Sequence, residues 1–390
     1  MVSLVNLFSK LRRRESDFRP KGDNRFYLEL DGKKLPVVPS FDDQCVDLDV
    51  DEDRLVDNEE FKYLTKNMPF RVDPDRYILE HKHAWTHTPL PELALYPDYE
   101  QIGARLDELA RKYPGKCEKM SLGKSHQGRD IWALRLGEHP VGEKPGIVIT
   151  GGTHAREWAS IAIPLALSEK LLQDGSRLRE SEIWIVPLVN PDGYEISRNG
   201  DNTYRKNANP EGPVDLNRNF GDDCPEHAHL WRPAGDKPAI KYDDKGASDD
   251  PNSRQYRGPH SASEPETRAL LKLELEHKNI LAVLDNHNCG EMLLYPAAAE
   301  ASFYQSLGQA MNEAAGGEPY QVMSAPELYP VSGISNDLQH AHGMVGMTLE
   351  SGFSMQPPEA ELARLQDRAT RAHLAFIDKI ISNKDNLTRT

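Results

Sequence analysis

From about residue 98 the chain alternates short apolar runs with stretches of helical period, and that rhythm limits the folds open to it. Ile131–Leu136, Gly146–Thr150, Ile183–Val189 and Leu281–Asp285 are near-continuous apolar runs bounded by Gly, Pro or Asn, as strands buried on both faces should be. Between them, Tyr99, Ile102, Leu106, Leu109 and Ala110 form a 3.6-period stripe that stops at Pro114-Gly115. Glu157–Gln173 and Glu264–Lys278 read as further helices. A last one follows Pro357-Pro358 and sets Leu362, Leu365, Ala369, Ala372, Phe376 and Ile380 on one face. Strands covered on both sides by helices predict an α/β sheet domain over residues 91–385, with 386–390 as a tail.

Before residue 90 the composition changes. Phe41–Glu60 is strongly acidic with the single Arg54, and prolines stand at 36, 39, 69 and 74. Arg25–Leu30 and Lys34–Val38 alternate as short strands would, so residues 1–90 read as a small β-rich region whose acidic run is a solvated face. Pro89–Asp98 reads as a linker. The net charge of −15 and pI near 5.4 argue against nucleic acid or anionic lipid as a partner. No apolar run approaches the length of a membrane span. Four scattered cysteines, at 45, 117, 224 and 289, are too few for a disulfide scaffold. The leader from Met1 places its basic residues after its apolar ones, the reverse of a secretory signal. These features lead to the expectation of a reduced, cytoplasmic protein. Residues 221–257 lack periodicity and read as a long surface loop.

The strongest local signal is Gly151-Gly152-Thr153-His154-Ala155-Arg156-Glu157-Trp158. An apolar strand runs through a Gly-Gly turn to a helix mouth, where His154 and Glu157, three residues apart, can converge on one ion. Of the fourteen histidines only His154 has Glu three positions on. A polar His beside a helix-start Glu is equally common as plain structure, so the pair alone carries even odds. Two donors do not make a catalytic zinc site, which needs a third and an open position. Leu281–Asp285 leads to His287 at the carboxyl end of another strand, where α/β sheets bind ligands. A lone strand-end histidine is more often bonded to backbone.

In order along the chain, the His154/Glu157 pair is followed by Asn190-Pro-Asp-Gly193, Tyr204-Arg205-Lys206, Asp215-Leu-Asn217-Arg218-Asn219 and Ser263-Glu-Pro-Glu266. Then come His287 with Leu294-Tyr295-Pro296, Tyr329 before Ser332-Gly333, and Thr348-Leu-Glu350. Over residues 98–385 this series resembles the zinc carboxypeptidase family typified by pancreatic carboxypeptidases A and B. The resemblance implies a mixed β-sheet flanked by helices on both faces. It implies one Zn2+ per chain, held by His154, Glu157 and His287 with water in the fourth position, and Asp215 as the carboxylate that orients the first histidine. Glu350 is implied as general base and Arg205 as the stabiliser of the oxyanion. Asn217, Arg218 and Tyr329 are implied as the groups that grip the free carboxylate of a peptide or protein C-terminus. A guanidinium suits that task because it binds carboxylate bidentately and keeps its charge when buried.

Two departures from the family pattern bear on specificity. After His287 the family reads Ser-Tyr, whereas here Asn288-Cys289 removes an aromatic wall. The segment from Tyr329 to Glu350 is one residue shorter, so the pocket floor maps to Asn336, or to Ser335 with another placement of the gap; it is neither apolar nor acidic. Asp285, facing the site from its strand end, would favour a basic side chain or support the loop. The altered wall keeps open a zinc amidase or D,L-carboxypeptidase acting on cell-wall or modified peptides. A non-catalytic peptide-binding module is the weakest reading, since every matched position is filled. In the 221–257 loop, Asp222, Cys224, His227 and His229 stand close enough for a second zinc or nickel site, although such runs are more often simply polar. His81-Lys82-His83 reads the same way.

Overall fold

Each central apolar run becomes a strand of one eight-stranded mixed sheet. The computed structural model describes residues 26–30, 33–37, 93–231, 246–329 and 331–387. The chain divides into two units, residues 1–91 with 327–329, and residues 92–326 with 330–390. In the first, β1 (Phe26–Leu30) and β2 (Lys33–Val37) form an antiparallel hairpin with Phe26 opposite Val37. The acidic run, the basic leader and the His81–His83 pair lie outside the described residues.

The second unit opens with α1 (Tyr99–Lys112). Asp98 caps it, accepting from the Gln101 backbone N–H while the Gln101 side chain returns a bond to the Asp98 N–H; this reciprocal pair satisfies two donors that a helix start leaves open. Then follow β3 (Cys117–Lys124), β4 (Asp130–Leu136), β5 (Gly146–Thr150), α2 (Trp158–Asp174), β6 (Glu182–Val186) and α3 (Pro191–Asn199). After a long connection come α4 (Pro265–Glu276), β7 (Ile280–His287), β8 (Met292–Tyr295), α5 (Ala301–Ala315), β9 (Gln321–Ser324), α6 (Ser335–Ala341), β10 (Val345–Glu350) and α7 (Glu359–Asn383). The sheet order is β3-β4-β6-β5-β7-β10-β8-β9. Strands β6, β5, β7 and β10 run parallel, while β3, β4 and β6 pair antiparallel, as do β10 and β8.

Side chains alternate across a strand, so each apolar run feeds two cores. Ile147, Ile149, Ile183, Ile185, Ala282 and Leu284 join α1, α2, α5 and α7 in one cluster. Val148, Trp184 and Val283 point the other way, toward Leu270, Leu271 and Leu273 of α4 and Leu338 of α6. Helices therefore cover both faces, as the sequence predicted. The α7 stripe is fully buried at Leu365, Ala369, Ala372, Phe376 and Ile380. Within the presumed surface loop, a helical turn spans Ala228–Trp231 and Ser248 bridges Tyr256; residues 232–245 lie outside the described residues. Among the described residues no helix is long and apolar enough to cross a membrane.

Candidate metal centre and active site

Three parallel strands, β5, β7 and β10, end at the same sheet edge, and each delivers part of the site. Beyond β5 the chain turns at Gly151 and Gly152. A Cβ on Gly151 would sit 2.1 Å from the Ser160 carbonyl oxygen, and Gly152 adopts φ +65°, a conformation glycine enters without steric cost. The tight turn lays His154 against the mouth of α2, where Glu157 is the N-cap residue. β7 carries His287 as its last residue. β10 ends on Glu350, which stands directly opposite His287 in the parallel register.

His154, Glu157 and His287 converge and are buried. Nδ1 of His154 lies 2.6 Å from Glu157 Oε1. Nδ1 of His287 lies 2.9 Å from Glu157 Oε2 and 3.0 Å from the Nδ1 of His154. On the far side of each ring, Nε2 faces a carboxylate, Asp215 Oδ1 at 3.1 Å for His154 and Asp285 Oδ2 at 2.9 Å for His287. A ring whose Nε2 donates to a carboxylate presents a lone pair at Nδ1. With both rings in that tautomer, two lone pairs and a carboxylate are aimed at one point, an arrangement that a shared cation or a proton on a ring nitrogen holds together.

The electrostatics show how strongly negative the surroundings of the rings are. Burial alone would keep His287 uncharged, yet the Asp285 and Glu157 carboxylates outweigh it and raise its pKa well above the usual imidazole range. Burial likewise opposes charge on Glu157, but the two histidines hold its carboxyl far below the ordinary value. Two nitrogens and a carboxylate are a zinc donor set, and metal–nitrogen bonds near 2.0–2.1 Å put tetrahedral donors roughly 3.3 Å apart. The observed separations of 2.6, 2.9 and 3.0 Å would open by about 0.3–0.7 Å to take it, so the residues fit the ion.

Asp215 is fully buried. Its Oδ2 accepts from Arg205 Nε at 2.9 Å, and its Oδ1 also caps the backbone N–H of Asn217 at 3.1 Å. Burial would raise its pKa, but Arg205, Arg218 and His154 together hold it well below the carboxylate range. Arg205 also lies 3.9 Å from Glu157, so its guanidinium borders the metal ligands. Arg218 follows on the turn Leu216–Arg218, buried, with Nη1 donating to the Asn217 carbonyl at 2.7 Å and Nε to that of Gly246. Asn217 Oδ1 accepts from the Ser335 backbone N–H at 3.1 Å, joining this turn to the start of α6.

Asn336 and Ser335 open α6 and are buried, with the Asn336 amide 3.5 Å from Thr348 Oγ1. The Asn336 Oδ1 and the Ser335 hydroxyl have no hydrogen-bond partner. Glu350 is buried and its Oε2 is likewise unpartnered. Burial drives its pKa well above the usual range and the Glu157 charge adds to that, against the pull of His287 and Arg205. Tyr329 is buried just after the helical turn Ala325–Leu328 and falls with the first unit.

Asp285 supports the loop beyond β5, accepting from Thr153 Oγ1 at 3.4 Å. Its Oδ1 accepts from Thr150 Oγ1 at 2.6 Å and its Oδ2 holds the His287 ring. Its spacing from His287 was the available signal, because residues two apart on a strand share a face. Asn288 spans the gap between loops: its backbone N–H donates to Glu157 Oε2 at 3.1 Å and its amide to the Ser351 carbonyl at 2.6 Å. The Asn288–Cys289 peptide bond is cis. Cys289, expected to be reduced, is disulfide-bonded, since separation along the sequence says little about which thiols come within bonding reach.

Comparison with known proteins agrees with this geometry. Residues 102–372, more than half of the chain, match the family described as zinc carboxypeptidase. Carboxypeptidase B of Astacus astacus is 32% identical over 212 residues, covering 52% of this chain and 64% of that protein. A protein of Talaromyces marneffei named inactive metallocarboxypeptidase ecm14 is 28% identical over 216 residues, 50% of this chain and 33% of its own. These alignments thus span between a third and two thirds of the relatives' length. Among solved structures, thrombin activatable fibrinolysis inhibitor superposes with a TM-score of 0.64 at 23% identity, over 74% of this chain and 75% of that one, which speaks to fold alone. The chain belongs to the zinc carboxypeptidase family.

Proposed function

We propose that the chain is an active zinc carboxypeptidase that removes C-terminal residues from peptides. The observation that carries this reading is the buried Glu350, whose Oε2 has no hydrogen-bond partner and which strand register sets beside His287. Zinc bound by His154, Glu157 and His287 would supply a Lewis acid that polarises the scissile carbonyl and acidifies water. Positive charge there would also offset the burial that raises the pKa of Glu350.

Glu350 Oε2 accepts the proton of the attacking water and later passes it to the nitrogen of the leaving amine. Arg205, fixed by Asp215, faces the carbonyl oxygen as negative charge develops on it. Loss of one such donor typically costs on the order of 100- to 1,000-fold in rate. Arg218, with Asn217, takes the substrate's free carboxylate and restricts cleavage to chain ends. The unpartnered oxygens of Asn336 and Ser335 at the position implied as pocket floor favour a C-terminal side chain that can donate a hydrogen bond.

A panel of peptides with free C-termini, assayed beside amidated and cell-wall stem peptides, tests this. The expected result is release of single C-terminal residues from the free-carboxylate set, abolished by chelators. Glu350→Gln should lower kcat/KM by about 100- to 10,000-fold with zinc content unchanged. Cleavage of the stem peptides alone would transfer the assignment to the amidase class, and no turnover by zinc-loaded protein would place it with the inert relatives.

A further inference from the structure

We propose that Asp222, Cys224, His227 and His342 form a second metal site, separate from the catalytic centre, that takes a zinc-class divalent cation. The donor atoms of Asp222, Cys224 and His227 lie within 4.8 Å of one another. His342 arrives from the far end of α6, and its Nε2 lies 2.6 Å from Asp222 Oδ2. His227 Nδ1 is 2.9 Å from the same oxygen. The two imidazole rings meet edge to face with centroids 4.8 Å apart. One thiolate, two imidazole nitrogens and one carboxylate are a four-donor set of mixed softness. That mixture suits tetrahedral Zn2+ and does not suit Ca2+ or Mg2+, which take oxygen ligands.

Both halves of the site are fixed by the same apolar core. On one side, His227 N–H bonds to the Cys224 carbonyl at 2.9 Å, Leu230 N–H to that of His227 at 2.8 Å, and the Gly333 N–H to the Leu230 carbonyl at 2.7 Å. On the other, the His342 N–H closes α6 on the carbonyls of Leu338 and Gln339. Leu230 and Leu338 pack in one cluster. The donors are therefore tied in by backbone hydrogen bonds, and they are only partly exposed.

Without metal, the imidazoles share the Asp222 carboxylate and the Cys224 thiol donates to Glu226 Oε2 at 2.8 Å. Binding then releases the thiol proton, and any imidazolium proton, to solvent. The ion would clip the stretch that begins four residues after Arg218 and one after Gly221 to the C-terminal end of the helix that carries Asn336.

The test uses the full chain, stripped by chelator and titrated with Co2+ and with Zn2+. The catalytic set has no thiolate, so a thiolate-to-cobalt charge-transfer band in the near ultraviolet reports this site alone. The expected result is two metal equivalents and that band in the wild type. Cys224→Ala should keep one equivalent and lose the band, and His342→Ala should weaken Co2+ binding at this site more than roughly tenfold. His287→Ala, which disables the catalytic set, should leave the band intact. A wild type that saturates without the band overturns the proposal, as does Cys224→Ala retaining two equivalents. Because the wild-type spectrum alone decides, an unstable variant leaves the test standing.

Discussion

Asp285 shows how one side chain settles what its neighbour can do. On β7 it faces the same way as His287, accepts from the ring's Nε2–H at 2.9 Å and is itself steadied by Thr150. The ring nitrogen left facing Glu157 then carries the lone pair a metal requires. Loss of such an orienting carboxylate typically weakens metal binding 10- to 100-fold. Asp285→Asn should therefore reduce zinc affinity by that factor, read by competition with a chromophoric chelator, while far-ultraviolet circular dichroism stays unchanged. Zinc affinity within twofold of the wild type would show that the ring is oriented without it. His154 and Glu157 were legible from sequence because the relation between them is local, three residues at a helix mouth. Asp215 was legible only through resemblance, because its bond to His154 joins loops 61 residues apart and leaves no trace in periodicity.

Elements were readable in proportion to how completely their burial is written in one run. β5 and β7 begin and end within two residues of the apolar stretches, and α7 buries the stripe read from its period. The run Ile183–Val189 outlasts its strand: β6 stops at Val186, and Leu188 and Val189 pack in the cores while the chain turns to the Asn190 cap. β3 escaped notice because most of its residues are exposed or half-exposed and include two lysines and a glutamate; cross-strand pairing with β4, not its own pattern, makes it a strand. β8 and β9 are four residues each, too short for alternation to register.

Within α7 the polar residue His373 is fully buried; Nδ1–H donates to the Ala369 carbonyl while Nε2 has no partner. Burial pushes its pKa down to about 4. Below the ordinary imidazole value of about 6.5 the unfolded chain takes up a proton that the folded helix refuses. Stability present above pH 6.5 is therefore lost as the pH falls toward 4, by roughly 3 kcal/mol at the limit. Replacing His373 with Leu removes the group that must be kept uncharged. The stability of that variant relative to wild type should rise by roughly 2–3 kcal/mol between pH 7 and pH 4.5, measured by urea unfolding at both. A constant difference would mean that the imidazole titrates alike in both states.

At the scale of the whole molecule, the sheet brings positions 154, 287 and 350 to one edge although nearly two hundred residues separate the first from the last. The long connection through Arg205, Asp215 and Arg218 closes over them. No segment can hold that arrangement alone, so the metal and the fold stabilise each other. An ion that binds only the folded chain contributes RT ln(1 + [L]/Kd), about 4 kcal/mol at a thousand times Kd, equivalent to roughly 5–10 °C in Tm for a domain of this size. Zinc added to the stripped chain should produce an upward shift of that order. Glu350→Gln keeps all three donors and should show the full shift, whereas His287→Ala should lose the part that the catalytic ion contributes, because one nitrogen and one carboxylate cannot hold that ion against water. Equal shifts in the two variants would mean that the stabilising ion sits elsewhere, and the convergence of two imidazoles with Glu157 would then be hydrogen-bonded architecture rather than a metal centre.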